Sequence, residues 1–130
     1  MTDLSKYRFE TARSNLNAAK LMLDSHDYKS SINRSYYSIF HALRAVLALD
    51  CFDSSKHSGV IACFNERYVK TGVFCKEISK IIRRARLMRE NADYQDFFVV
   101  SQEEAADQIE AAQKIISAVE PYLNKRWTRE

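Results

Sequence analysis

Only two glycines and one proline occur in 130 residues. That scarcity leaves too few turn-forming positions for a strand-rich or loop-rich architecture, whereas long helices joined by short turns need no more. The chain is therefore expected to be all-α, an antiparallel four- to five-helix bundle running up and down. One hundred and thirty residues is the size of one domain with one substantial core, and no linker, repeat or low-complexity stretch divides residues 1–130.

Five apolar stripes with three-and-four spacing mark the helices. The first runs from about Leu4 to Ser25, with Phe9, Ala12, Leu16, Ala19 and Leu23 inward. The second runs from about Tyr28 to Leu49 on Ile32, Tyr36, Ile39, Leu43, Val46 and Leu47. A third opens at His57 or Ser58 and presents Val60, Ile61, Phe64 and Tyr68 before Thr71-Gly72. The fourth spans about Cys75 to Ala92 with Ile78, Ile81, Ile82, Ala85 and Met88 inward. The fifth starts at Ser101, with Glu104 completing a capping box, and Pro121 lies near its end. Between the last two, Asp93–Val100 is too aromatic to float free and is expected to pack as an ordered loop.

Three cysteines without CxxC spacing provide neither a disulfide framework nor a zinc site, and are read as small apolar residues in a reducing compartment. The polar N-terminus does not resemble a signal peptide, and no apolar run approaches a membrane span, so the expected location is cytoplasmic. His26, His41 and His57 lie in different segments, and no carboxylate or histidine group has ligand spacing. No metal and no cofactor are expected.

The second helix carries the most chemistry. Arg34 and His41 are seven residues apart, which on a helix is about 700°, so they share one face about 10.5 Å apart along the axis. Ser38 and Tyr37 sit between them on the same reading, Asn33 adjoins, and Ala45 and Ala48 continue the strip as a small-residue border that another helix could approach. A permanent cation and a titratable imidazole on one face suit phosphodiester chemistry. RNA supplies its own 2′-hydroxyl nucleophile; His41 can transfer a proton and Arg34 can stabilise phosphate charge. The same spacing is also met by a histidine satisfied at an interface and an arginine paired or solvated.

Net charge is only +3, yet Lys76, Lys80, Arg83, Arg84, Arg86 and Arg89 crowd the fourth helix. Lys80, Arg83, Arg84 and Arg86 are candidates for tracking an RNA backbone, against the alternative of a solvated helix face. His57 reads as a helix-start residue. Trp127 either stacks on a base or partner, or covers the end of the first or fifth helix.

Asn33–Ala42, then Lys56-His57-Ser58-Gly59-Val60, then Arg89-Glu90-Asn91-Ala92-Asp93-Tyr94, resemble three successive signatures of the HEPN domain family. The resemblance implies an antiparallel helical bundle that often dimerises. It also implies metal-independent RNA cleavage through an arginine and a histidine, here Arg34 and His41, with Asn33, Tyr37 and Ser38 in support. It further implies a toxin role, with a minimal nucleotidyltransferase as antitoxin partner. Members modified by that partner carry a tyrosine two residues after the histidine, where this chain has Leu43. One histidine cannot easily serve as acid and base together, so a homodimer bringing two strips face to face is expected. The alternatives are a non-catalytic nucleotide- or RNA-binding module that docks a nucleotidyltransferase, and a purely structural helical dimer.

Overall fold

The computed structural model describes residues 2–129, which form α1 (Thr2–Asp24), α2 (Tyr28–Leu49), α3 (His57–Phe64), α4 (Lys76–Tyr94) and α5 (Gln102–Trp127). A π-helical turn, Asn65–Val69, continues α3. The molecule is all-α, as composition predicts, with no strand among the described residues.

α2 is the central element, and α1, α3, α4 and α5 all pack against it. Its junction with α1 is made of small residues. Ser31 Oγ donates to the Ala19 carbonyl (2.8 Å), Ser38 Oγ to Ala12 (2.8 Å), and Ser5 Oγ to Ala45 (2.7 Å). Each pair lies seven residues along both helices from the last, in opposite directions, which fixes an antiparallel register two turns at a time. All three hydroxyls are buried, so each bond satisfies a group that would otherwise be costly to desolvate. Ser35 Oγ, on the same seam, has no partner among the described residues.

This seam corrects the expected strip. Ser38, Ala45 and Ala48 are buried against the rest of the protomer and do not face outward, because a closely packed α1 needs small side chains beneath it. The border expected to receive another helix is already occupied by the chain's own first helix.

α5 closes the remaining side. Trp127 Nε1 donates to the Ser5 hydroxyl (3.0 Å), and its ring meets Phe9 edge-on at 6.0 Å, so Trp127 covers the start of α1. Arg126 reaches Asp50 at the end of α2 (2.8 Å), and the Tyr68 hydroxyl bonds the same carboxylate. Pro121 lies within α5, which runs on to Trp127. The capping box at Ser101 and Glu104 forms as predicted. Of the cysteines, Cys51 and Cys75 are exposed and Cys63 is half-buried.

The α4–α5 connection is ordered on one side only. Phe98 is half-buried and Val100 buried beside Ile32 and Ala105, but Phe97 and Val99 project outward. No helix among the described residues is long and apolar enough to cross a membrane.

Candidate functional site

With α1, α4 and α5 covering the rest of α2, the residues left half-open along its middle are Asn33, Arg34, Tyr37, His41 and Arg44. These recur every three or four positions and form one stripe. Arg34 and His41 thus do share a partly open face. Arg44 takes the place the spacing argument gave to Ala45.

Neighbouring elements bring further groups to this stripe. Arg34 Nη1 donates to Asn15 Oδ1 on α1 and its Nε to Asn33 Oδ1, each at 3.1 Å, with the guanidinium 5.4 Å from the Tyr37 ring. Asn33 Nδ2 donates to Asp93 on α4 (3.3 Å), and Arg89 Nε donates to the same carboxylate oxygen (3.0 Å). Arg89 Nη2 reaches the Tyr37 hydroxyl (3.3 Å). From the start of α3, His57 Nδ1 shares a 3.0 Å hydrogen bond with the Tyr36 hydroxyl, and its ring lies 4.2 Å from that of Phe40.

His41 and His57 therefore flank one aromatic pair, their rings 6.1 Å and 5.7 Å from that of Tyr37. Spacing alone could not have joined His57 or Arg89 to the strip, since they are remote from it in the chain. The signal that did point to them is the set of three signature segments, which meet here: Asn33 with Asp93, Tyr37 with Arg89, Tyr36 with His57.

The placement of His57 depends on Gly59. A Cβ built there would collide with the Ser54 side chain. Glycine lets the Asp50–Lys56 loop fold back under α3, where Ser54 Oγ accepts from the Lys56 amide (3.2 Å). The same loop presents Asp53 to Arg8 (3.1 Å) and Arg44 (3.4 Å), so both guanidinium groups are held beside the stripe.

These surroundings are hostile to a charged imidazole. Burial pulls His41 down from 6.5 to about 4, and Arg44, Arg8, His57 and Arg34 push the same way. His57 is also lowered, by burial and then by Arg89, Arg86 and Arg44. Both shifts favour the neutral imidazole at pH 7. Burial raises the Tyr36 hydroxyl, which stays protonated.

The basic residues of α4 separate. Arg86, half-buried and bonded to Glu90 (3.0 Å), lies close enough to Tyr36 and His57 to influence both. Arg83 is exposed. Lys80 and Arg84 line a groove of about 330 Å³ between α4 and α5 that also contains Glu77, Glu104, Asp107 and Glu110. Lys114 lines the same groove, so its four carboxylates face three cations. No group of three or more histidine, cysteine, aspartate or glutamate side chains among the described residues could hold a metal ion.

Comparison with known proteins finds relatives over most of the chain. A UPF0332 protein of Thermotoga maritima is 36% identical over 118 residues, covering 91% of this chain and 89% of its own length. Two Methanocaldococcus jannaschii proteins are also similar. One, named "Putative toxin MJ0605", is 35% identical over 85 residues, covering 65% of this chain and 63% of its own. The other, named "Putative toxin MJ0142", is 29% identical over 114 residues, covering 88% and 78%. The HEPN domain model matches residues 5–122, from the serine that ties α1 to α2 through to the last turns of α5, and the chain belongs to the HEPN domain family.

Proposed function

We propose that the chain is a metal-independent endoribonuclease of HEPN type and the toxin of a toxin–antitoxin pair, with Arg34 and His41 acting on the RNA phosphodiester. The observation that carries this reading is that α2 keeps one partly open face and Arg34, Tyr37 and His41 lie on it. Neutral His41 accepts the 2′-hydroxyl proton; the oxygen then attacks the adjacent phosphorus, and Arg34 offsets charge on the phosphate oxygens. Tyr37 and Asn33 position Arg34 through the cation–π contact and the 3.1 Å hydrogen bond. Arg86 and Arg83 add to the field that draws RNA in. Ser38, spent on Ala12, acts only through the fold.

The leaving 5′-oxygen needs a proton from a second group. A homodimer supplies it from the other copy's His41, once RNA phosphates that offset Arg44, Arg8 and Arg34 have let that ring take up a proton. Names of relatives as toxins support the biological setting, and a nucleotidyltransferase antitoxin is the partner the family resemblance implies.

The test is purified protein with RNA in excess chelator. Cleavage abolished in both Arg34→Ala and His41→Ala, with the fold retained, is the expected result; undiminished cleavage in either variant refutes the assignment. A second reading, a non-catalytic RNA- or nucleotide-binding module docking a nucleotidyltransferase, draws on one observation: Arg34 is already bonded to Asn15 and Asn33. Binding without cleavage in the wild type would favour it.

A further inference from the structure

Phe97 breaks two rules at once. Its φ is 61°, a left-handed conformation unfavourable for a phenylalanine, and its side chain is 99% exposed. The backbone turn itself has a return within the fold, since the Phe98 amide reaches the Gln95 carbonyl (3.4 Å) and Phe98 and Val100 are seated, and His26 and Cys51 make the same left-handed turn past other helix ends. The turn does not call for an aromatic side chain, and the Phe97 ring packs on nothing.

The surroundings indicate what would cover the ring. Phe97 and Phe98 line an open recess of about 610 Å³ with His26, Tyr28 and Lys29. His26 Nδ1 and the Tyr28 hydroxyl share a 3.0 Å hydrogen bond, and their rings stand edge to face at 6.0 Å. Lys29 also lines a second recess, of about 400 Å³, together with Asn33, Arg34 and Asp93. Lys29 therefore borders both recesses, and Arg34 lines the second.

The acidic residues in these recesses are engaged. Asp27 accepts from the Ser30 amide as the α2 cap (3.2 Å), and Asp93 is paired with Arg89 (3.0 Å). Lys29 and Arg34 meet an anion in the recess where Asp93 is offset by Arg89, while Asp27 keeps its charge in the aromatic recess, which suits that recess to a neutral base. Phosphate-binding cations beside an aromatic platform are what a single nucleic-acid strand requires, and a paired base in a duplex has no free face to offer.

We propose that this recess binds an unstacked base of single-stranded RNA on Phe97, while Lys29 and Arg34 hold the neighbouring phosphate. The proposal rests on the ribonuclease reading and adds to it a base subsite outside the α2 stripe, with Phe97 as a positioning residue remote from bond cleavage.

Fluorescence anisotropy with a labelled 2′-O-methyl octaadenylate, which cannot be cleaved through a 2′-hydroxyl, tests it at fixed salt. Phe97→Ala and Phe97→Gly are expected to bind about tenfold more weakly, and Phe97→Trp to retain wild-type affinity. Phe97→Gly should at the same time melt no lower than wild type, because glycine accepts a positive φ. An abasic oligomer of the same length should bind all four proteins alike. Equal affinity of wild type and Phe97→Ala for octaadenylate overturns the proposal. So does a Phe97→Ala defect that appears only as loss of a dimer in light scattering, which would make Phe97 a subunit contact. If Arg34→Ala weakens binding while Phe97→Ala does not, the base recess fails and the RNA reading stands. If wild type binds no oligomer, both fail.

Discussion

The low pKa of His41 has a measurable consequence for stability. The fall from 6.5 to about 4 corresponds to about 3 kcal/mol, at roughly 1.4 kcal/mol per pH unit. The folded pKa lies below the unfolded one, so the unfolded chain binds the extra proton across that window. Folding stability is therefore fully present above pH 6.5 and is lost as pH falls toward 4. For a single site with those two values the loss between pH 7 and pH 5 is about 2 kcal/mol, in a range where most carboxylates remain ionised. Urea denaturation at pH 7 and pH 5 should show that loss in the wild type, together with a smaller one from His57. In His41→Gln most of it should be absent.

Direct titration of the His41 ring by NMR separates the causes. Burial is the leading one, so Arg44→Gln raises the pKa only part of the way back to 6.5. An RNA analogue, whose phosphates offset the charges of Arg8, Arg34 and Arg44, should raise it further. That rise is what the ribonuclease reading needs, since a base with a pKa near 4 is weak until substrate arrives. A His41 pKa at or above 6.5 in the free protein, or identical pH dependence in His41→Gln, would refute this reasoning.

Other perturbations have distinct signatures. Ser38→Leu forces a large side chain into the α1–α2 seam and should cost about 1–3 kcal/mol in chemical denaturation, whereas Ser38→Ala should cost about 1 kcal/mol and leave kcat unchanged. Gly59→Ala should lower Tm and shift the His57 NMR signals, because the Asp50–Lys56 loop must move away from α3. Asp93→Asn weakens the hold on Arg89 and Asn33 together, and should reduce cleavage while changing Tm little. Mixed dimers of wild-type and His41→Ala subunits should be inactive if each site draws its base from one copy and its acid from the other; half of wild-type activity in a verified mixed dimer would refute that role.

How far the sequence reached depends on distance along the chain. The helices, their inward stripes and the Ser101–Glu104 box are local patterns, and they appear where the spacing places them. The common face of Arg34 and His41 is equally local. What spacing could not decide was which side of α2 stays open, because a stripe of serines and alanines reads equally well as a surface or as a tight helix contact. The seven-residue recurrence of Ser5, Ala12 and Ala19 on α1, opposite Ser31, Ser38 and Ala45, was the available signal for the contact. His57 and Arg89 join the site through tertiary packing, and only the succession of signature segments hinted at that.

The seam and the site are linked. Small residues let α1 sit close on one flank of α2, and α4 and α5 take the apolar flanks, so most of the surface of α2 is spent on packing. The four long polar or ionisable side chains left along its middle, Arg34, Tyr37, His41 and Arg44, then have little alternative to sharing one narrow face. Burial on that face is the leading cause of the low His41 pKa, and the cations crowded beside the imidazole push it the same way. A substitution that opens the seam and lets α1 swing away, such as Ser38→Leu, should therefore admit water to His41 and raise its pKa as it lowers stability. The two effects should appear in the same variant, although Ser38 spends its hydroxyl on the Ala12 carbonyl of α1.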